Sequence, residues 1–181
     1  MKHVIISFGI VLAAGAMLAD AQTRQPSTAI RPVLVRSKKA LDDLEKKLAS
    51  DKTDVSSKNL TVTKVEDLIG GAGMETRVAV QHDTRRSGDQ FELHDKSDDV
   101  YYVLKGEATL ELGGTMVDPK ETSMGSGEWK SKTATGAASY LVKEGDIVMV
   151  PRGTPHRRTV TGKGFSMILI KIYEDPLPAA K

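Results

Sequence analysis

The sequence of 181 residues contains no cysteine. This absence excludes a disulfide, a thiolate metal site and a lipid-modified cysteine, so the fold must be stable through its packed core alone. Aromatic residues make up only 4% of the chain, and that core must therefore consist mainly of Val, Ile, Leu and Met. No ladder of aromatic side chains accompanies the basic residues, as stacking on nucleic-acid bases would require.

A strong excess of charge is missing as well. The 26 basic residues nearly balance the 24 acidic residues, which leaves a net charge of +2. The basic residues are spread along the chain, so a nucleic-acid partner is not expected. A content of 39% hydrophobic and 28% charged residues is typical of an ordinary soluble, globular protein. The length fits one domain with at most a small appendage.

The apolar run near the N-terminus, residues 4–18, is shorter than the roughly 20 residues that a membrane-spanning helix requires. A small-x-small pattern, Ala19-Asp20-Ala21, follows it. These features predict a secretory signal peptide in residues 1–21, and hence a secreted or periplasmic protein that is free of the membrane after cleavage. An uncleaved membrane anchor is the alternative.

Residues 22–59 are predicted to form an N-terminal arm that begins with a mobile segment rich in Thr, Pro, Arg and Ser. Ser37 is placed to cap a short amphipathic helix that runs to Ser50. One face of that helix carries three leucines, Leu41, Leu44 and Leu48. Because this face needs a covering surface, we expect it to pack on the domain or on a sister subunit, and we predict a homodimer.

Residues 60–174 are predicted to form a β-barrel, because the pattern changes there to short strands bounded by turns. The candidate strands are 60–65, 77–82, 90–94, 100–104, 108–112, 139–142, 146–150, 156–161 and 165–173. Many short strands with few helices favour a sandwich or closed barrel over a parallel α/β sheet.

Two segments, one inside this region and one after it, are predicted to lack secondary structure. Residues 119–138 form an insertion of low hydrophobicity, and residues 175–181 form an extended tail. The insertion carries the single tryptophan, Trp129. That side chain is expected to anchor the insertion to the barrel, and lining the mouth of a pocket is the alternative.

The residues with metal-binding chemistry lie in two separate segments. Because side chains alternate along a strand, Glu92 and His94 project to the same side. Asp99 opens the next strand, and a hairpin between the two strands would place it beside His94. His156 opens a later strand after a tight turn, and closing the sheet into a barrel would bring it opposite the other three.

Two imidazoles with one or two carboxylates suit a divalent transition metal such as Mn, Fe, Zn, Ni or Co. They argue against calcium or magnesium, which prefer an all-oxygen shell. For each residue there is an ordinary alternative: a histidine bonded to the backbone, a turn residue in the case of Asp99, or an exposed strand carboxylate in the case of Glu92. The remaining histidine, His82, has the strand parity of Val78 and Val80, and an inward role in support of the site is one reading of it.

Three further residues are candidates for contact with a small-molecule substrate, namely Tyr101, Arg158 and Lys171. Arg158 and Lys171, together with Arg157, could each pair with a substrate carboxylate. The alternative for these cations is a solvated strand face, and the alternative for Tyr101 is packing in the core.

The two segments resemble the paired motifs of the cupin superfamily. The second motif is a glycine, five residues, Pro-x-Gly, two residues and a histidine, and the chain matches it in full at Gly145, Pro151, Gly153 and His156. The first motif is His-x-His, an acid and a later glycine, which His94, Asp99 and Gly106 match in part. The resemblance covers roughly residues 77–172.

Three positions depart from the family pattern. Glu92 stands in the place of the first histidine, Asp99 in the place of a glutamate, and Val160 in the place of an asparagine often seen after the last histidine. Glu92 still offers an oxygen ligand, and the shorter Asp99 withdraws its carboxylate by one methylene. The ligand set implied by the resemblance is therefore Glu92, His94, Asp99 and His156.

The resemblance implies an all-β fold, a single cupin barrel (double-stranded β-helix or jelly-roll) with a short N-terminal helix. It implies a secreted protein that binds a divalent transition metal, with oxidoreductase or dioxygenase chemistry first among the enzymatic options. A non-catalytic periplasmic module that binds a metal or small molecule is the second hypothesis. A structural barrel with a vestigial site is the third, since the same fold supports many functions.

Overall fold

The computed structural model describes residues 27–29, 31–51, 61–87 and 89–178. The chain divides into a unit Met1–Val35 and a unit Arg36–Lys181. In the first unit the described residues are exposed and form neither helix nor strand. The predicted signal peptide lies outside the described residues, as do positions 22–26, 30 and 52–59 of the predicted arm. Among the described helices, none is long and apolar enough to cross a lipid bilayer.

The second unit contains one helix and twelve strands within its described residues. Their bounds are α1 Lys38–Ser50, β1 Thr61–Ile69, β2 Thr76–Arg86, β3 Phe91–His94, β4 Ser97–Leu112, β5 Thr115–Val117, β6 Lys120–Glu121, β7 Glu128–Ser131, β8 Thr133–Thr135, β9 Ala138–Lys143, β10 Ile147–Val150, β11 His156–Thr159 and β12 Phe165–Tyr173. All strand pairs are antiparallel. The predicted all-β barrel with a short helix is confirmed.

Strand β4 joins the two walls of the barrel. Its first half pairs with β12 and β10, and its second half pairs with β11 and β9. The two predicted strands 100–104 and 108–112 are therefore one continuous strand. Gly106 lies where the strand passes from one wall to the other, with φ at +79°, and a side chain there would meet the backbone of Gly164. The absence of a side chain lets the two backbones approach closely.

The core lies between the two walls. One wall has the order β1-β2-β12-β4, and the other continues through β11, β3, β7 and β6. The side chains that fill the space between them include Tyr101, Val103, Leu110, Phe165 and Met167, all of them buried. Only two of the nine buried residues of this core cluster are aromatic, which fits the low aromatic content of the sequence.

The prediction that residues 119–138 lack secondary structure is wrong. The segment contains β6, β7 and β8, and β7 pairs along the whole of β3. Backbone hydrogen bonds to a free strand edge hold it there, and these need no apolar sequence pattern. Trp129, on β7, donates a hydrogen bond from Nε1 to Asp95 at 2.7 Å, which fits the predicted anchoring role.

Helix α1 begins at the predicted cap, because Ser37 Oγ accepts a hydrogen bond from the backbone N of Ala40. The helix packs on β2 of its own chain, where Leu48 is buried. Leu41 and Leu44 are half-buried. The leucine face is therefore covered within the chain, and it no longer supports a homodimer. The homodimer stays a prediction.

The side chain of His82 faces the region beneath α1. Its Nδ1 lies 2.8 Å from Ser166 Oγ, and Ser166 Oγ donates to Glu45 on the helix at 2.9 Å. The neighbouring Gln81 has the opposite strand parity and lines the cavity inside the barrel. The inward reading of His82 is therefore wrong, because the same-parity positions of β2 face the helix.

Candidate metal centre

Three side chains meet inside the barrel as a group that could hold one metal ion. Ligand atoms of Glu92, His94 and His156 all lie within 4.8 Å of one another. In the antiparallel pairing of β3 with β11, His156 is the register partner of Glu92. Directly opposed residues have Cβ atoms about 4.5–5.5 Å apart, and His94 follows Glu92 on the same face of β3. Two adjacent strands thus supply all three donors.

Both histidines are oriented by a hydrogen bond at Nδ1. His156 Nδ1 lies 3.0 Å from the carbonyl oxygen of Thr154, and His94 Nδ1 is hydrogen-bonded to the carboxylate of Glu128. A carbonyl and a carboxylate accept, so each Nδ1 carries a proton, and Nε2 is the ring atom left to bind a metal once it carries no proton of its own. The ring centroids are 5.0 Å apart. Metal-binding histidines are usually held by a partner of this kind.

Sequence reasoning did not find Glu128. It lies on β7, in the segment predicted to be a loop, and it faces His94 because the two are register partners across β3 and β7. The four residues of β7 are too few to show a strand alternation, so only the pairing itself reveals the contact.

Asp99 stands beside this group rather than within it. Its Oδ1 accepts a hydrogen bond from Lys171 Nζ at 2.8 Å, and its Oδ2 accepts one from the Tyr101 hydroxyl at 3.1 Å. His94 Nε2 lies 3.6 Å from Oδ2. Ligation by Asp99 remains a prediction.

The hairpin expected to bring Asp99 to His94 is not formed. Among the described residues, β3 pairs with β7 and β11, while β4 pairs with β9, β10, β11 and β12. The short link between β3 and β4 instead carries the chain from one wall to the other. Asp99 therefore approaches His94 across the barrel interior.

The two imidazoles differ in protonation. Burial by itself lowers the pKa of His94, but hydrogen bonds to Asp99 and Glu128 outweigh burial and raise that pKa to about 9. Burial lowers the pKa of His156, and the neighbouring His94 cation acts in the same direction. In the metal-free protein at neutral pH, His94 is therefore a cation and His156 is neutral.

The two carboxylates are ionised despite their burial. Burial raises the pKa of Glu92, but nearby positive charges, of which Arg86 has the largest effect, hold it below its ordinary value. Burial also raises the pKa of Asp99, and the hydrogen bond from His94 together with the charge of Lys171 brings it well below its usual range. Both carboxylates are therefore negatively charged and can bind a cation.

A cavity of about 240 Å³ adjoins the group. All three predicted substrate residues, Tyr101, Arg158 and Lys171, line it and are buried, so the alternative of a solvated strand face does not apply to the two cations. Arg157, next to Arg158, donates instead from Nε and Nη2 to Glu111. Contact of these residues with a substrate remains a prediction.

No family model matches the sequence. No curated protein matches it either.

Several solved structures are similar to this chain at low sequence identity. An oxalate oxidase in complex with glycolate is 19% identical over 67% of this chain, with a TM-score of 0.46, and this chain spans only 55% of its length. A protein from Bacillus halodurans is 16% identical, with 83% of this chain and 88% of the other covered and a TM-score of 0.47. The cupin domain of Cnp3 from Schizosaccharomyces pombe is 14% identical, with 65% of each chain covered and a TM-score of 0.43.

The described residues of the second unit form an antiparallel β-barrel. Two antiparallel walls enclose the core, and both sequence motifs lie on strands that border the same cavity. This is the all-β architecture that the sequence motifs predicted.

Proposed function

We propose that this protein binds one divalent transition metal through Glu92, His94 and His156 and holds a small molecule beside it. The observation that carries the proposal is the orientation of the two imidazoles, whose Nδ1 atoms are both bonded so that Nε2 is left for a metal. Two nitrogens and a carboxylate oxygen suit Mn, Fe, Zn or Ni. A protein metal centre with three ligands from the chain keeps positions open for a substrate.

We include Asp99 as a fourth ligand in the proposal. Two atoms that share an ion at about 2.1 Å lie about 3.0–3.4 Å apart, depending on the angle between them. Asp99 Oδ2 is 3.6 Å from His94 Nε2, which is close to that separation. Lys171 holds the other oxygen of Asp99 and so fixes the direction in which Oδ2 points.

When bound, the metal would supply Lewis-acid or redox chemistry to a molecule in the cavity. The chain itself contributes orientation and exclusion of water. Glu128 fixes the His94 ring, and Lys171 and Tyr101 fix the Asp99 carboxylate. The two walls of the barrel bury Asp99, Tyr101 and Lys171. An oxidoreductase acting on a small molecule is the enzymatic form of the proposal.

A non-catalytic binding module is the second candidate, and one observation favours it. Burial, together with the neighbouring Asp99 charge, raises the pKa of Tyr101 well above its usual range. This phenol, which lines the cavity, therefore stays protonated at neutral pH and cannot act as a general base. Export through a signal peptide in residues 1–21 and pairing of two chains belong to either form of the proposal.

Elemental analysis of protein prepared without added metal or an affinity tag tests metal binding. We expect about one transition-metal ion per chain in the wild type and none in the double variant His94→Ala/His156→Ala. The matched control is His82→Gln, which alters a buried histidine that faces α1 rather than the group. A double variant that retains the metal of the wild type would refute the proposal.

Turnover separates the two candidate functions. Metal-loaded protein would be incubated with small oxidisable acids, sugars and phenols, while product formation and thermal stabilisation are both recorded. Stabilisation by a compound that stays chemically unchanged supports the binding module, since a ligand of the folded state raises its stability. Metal-dependent product formation that the double variant lacks supports the enzyme.

A further inference from the structure

Arg158 is buried in the barrel wall with most of its hydrogen-bonding capacity unused. Its side chain is 8% exposed. Among the described residues it makes two hydrogen bonds, from Nε to Asp83 at 2.7 Å and from Nη1 to the sulfur of Met167 at 3.6 Å. A guanidinium has five N–H donors and a thioether is a weak acceptor, so most of the Nη donors lack a strong partner.

These free donors belong to a side chain that borders the cavity beside the proposed metal group. Arg158 lies two residues after His156 on β11, so both side chains project to the same face of the strand. Alternate residues along a strand are about 7 Å apart. A molecule of a few atoms is enough to span from the guanidinium to the His156 imidazole.

The other four cations around the cavity each pair with a carboxylate, and Arg77 pairs with Asp67. Lys171 is paired with Asp99 at 2.8 Å, and Arg157 is paired through two nitrogens with Glu111. Arg86 is paired with Asp89. Of the three cations that the sequence offered for a substrate carboxylate, Arg158 is the one whose terminal nitrogens have no oxygen partner among the described residues.

We propose that the cavity takes a small organic acid whose carboxylate is bound by the Nη atoms of Arg158 while its other end reaches the metal group. The planar fork of a guanidinium matches a carboxylate in geometry and charge. The inference rests on the proposed function, since it assigns a substrate class to the same site.

The size of the cavity and the charges that line it restrict which organic acids would fit. The cavity of about 240 Å³ is smaller than the 300–1,000 Å³ usual for drug-sized ligands. The carboxylates of Glu92, Asp99 and Glu128 also line it, so a multiply charged phosphate would meet repulsion that a single carboxylate largely avoids. Leu110 and Leu169 line other parts of the wall, which suits a short aliphatic body.

Lactate and its neutral analogue lactamide test the inference on the wild-type chain. The two have nearly the same shape and differ in the charged group. Titration calorimetry on zinc-loaded protein should show lactate binding at least about tenfold more tightly than lactamide, since charge-assisted bidentate pairs are the strong ones. Equal affinities, or no lactate binding, would overturn the inference.

Arg158→Lys tests the residue itself. Lysine keeps the positive charge near Asp83, which is fully buried, and so avoids the unpaired carboxylate that a neutral substitution would leave. It removes the guanidinium fork, and we expect the preference for lactate to fall by about tenfold or more. The matched control is Arg157→Gln, whose side chain is committed to Glu111, and it should keep the wild-type preference. Unchanged lactate binding in Arg158→Lys would refute the assignment.

Two measurements, the metal content and the titration of metal-free protein, distinguish failure of the metal-binding proposal from failure of the carboxylate proposal. Metal-free protein that still prefers lactate through Arg158, but never loads a metal at His94 and His156, would refute the proposed function and leave the carboxylate site standing. Loaded protein that binds lactate and lactamide alike, whatever residue stands at position 158, would refute the carboxylate site and leave metal binding standing.

Discussion

The carboxylate of Glu128 accepts a hydrogen bond from Nδ1 of His94, although 34 positions of the chain separate the two residues. The contact exists because β7 pairs along the edge of β3 and places the two side chains opposite each other. It fixes the imidazole so that Nε2 faces the interior of the barrel.

Removing the Glu128 carboxylate should weaken metal binding without unfolding the protein. We expect Glu128→Ala to lower the zinc affinity about 10–100-fold, as is usual for partners that orient a metal-binding histidine. Glu128→Gln keeps an acceptor and should lose less. Competition with a chelator measures the affinity, and Glu107→Ala, on the exposed face of β4, is the control. An affinity in Glu128→Ala equal to that of the wild type would contradict the assigned role.

The buried ion pair between Lys171 and Asp99 should dominate the stability of the site. Replacing Lys171 by Met leaves the Asp99 carboxylate, whose side chain is 5% exposed, without its cation. We expect the free energy of unfolding of metal-free protein to fall by about 3–5 kcal/mol, as measured with urea. The double variant Lys171→Met/Asp99→Asn should recover part of that loss.

The matched control for this ion pair is Lys130→Met. Lys130 lies 3.3 Å from Glu92, but its side chain is 46% exposed. Solvent screens such a pair, and the loss should stay below about 1 kcal/mol. Similar losses in Lys130→Met and Lys171→Met would show that burial of the pair between Lys171 and Asp99 adds nothing to the cost of breaking it.

Acid should destabilise the fold through Asp83. Burial by itself raises the pKa of this carboxyl, but the charge of Arg158 and a hydrogen bond from Thr63 outweigh burial and hold the pKa below its ordinary value of 3.8. Because the folded pKa is lower than the unfolded one, the stabilisation is present above pH 3.8 and is lost as the pH falls through the folded pKa.

The Asp83→Asn variant isolates this effect. It should be less stable than the wild type at pH 7, because Arg158 loses its partner. It should also lose less further stability between pH 4 and the acid-unfolded state, as followed by urea unfolding at each pH. A variant with the same acid sensitivity as the wild type would rule out Asp83 as its source.

Two glycines of the motifs should differ in their tolerance of a side chain. Gly106 and Gly145 have φ values of +79° and +90°, so alanine is strained at both. At Gly106 the added Cβ would lie 2.2 Å from the carbonyl oxygen of Gly164, whereas at Gly145 no atom lies within 4 Å. We expect Gly106→Ala to lower the free energy of unfolding by at least about 2 kcal/mol more than Gly145→Ala. Equal losses would show that backbone strain alone sets the cost.

Much of the architecture was predictable from local patterns. Short apolar strands between glycine turns indicated a barrel, and Ser37 followed by a leucine stripe indicated the helix that the structure contains. The motif around Gly145 and His156 identified one of the three grouped donors, and strand alternation placed the other two, Glu92 and His94, on one face. These predictions succeeded because period-two alternation and helix caps are written in consecutive residues.

Other features were not predictable because they depend on pairing between distant segments. Strand β7 carries no apolar alternation and is held by backbone hydrogen bonds to β3, so neither the strand nor Glu128 could be found in advance. The sequence pattern showed that His82 lies on the same face of its strand as Val78 and Val80. It did not show that this face would pack against α1. For the same reason the hairpin expected at Asp99 was wrong.

The sequence by itself determined the all-β class, the N-terminal helix and the residue types available for a nitrogen- and oxygen-donor site. Tertiary structure alone decided which donors meet, that Lys171 and Arg157 are already paired, and that Arg158 keeps donors free toward the cavity. The physical reason is that composition and alternation fix what a strand can bury. Only the register between strands fixes which charges neutralise each other and which one is left for a ligand.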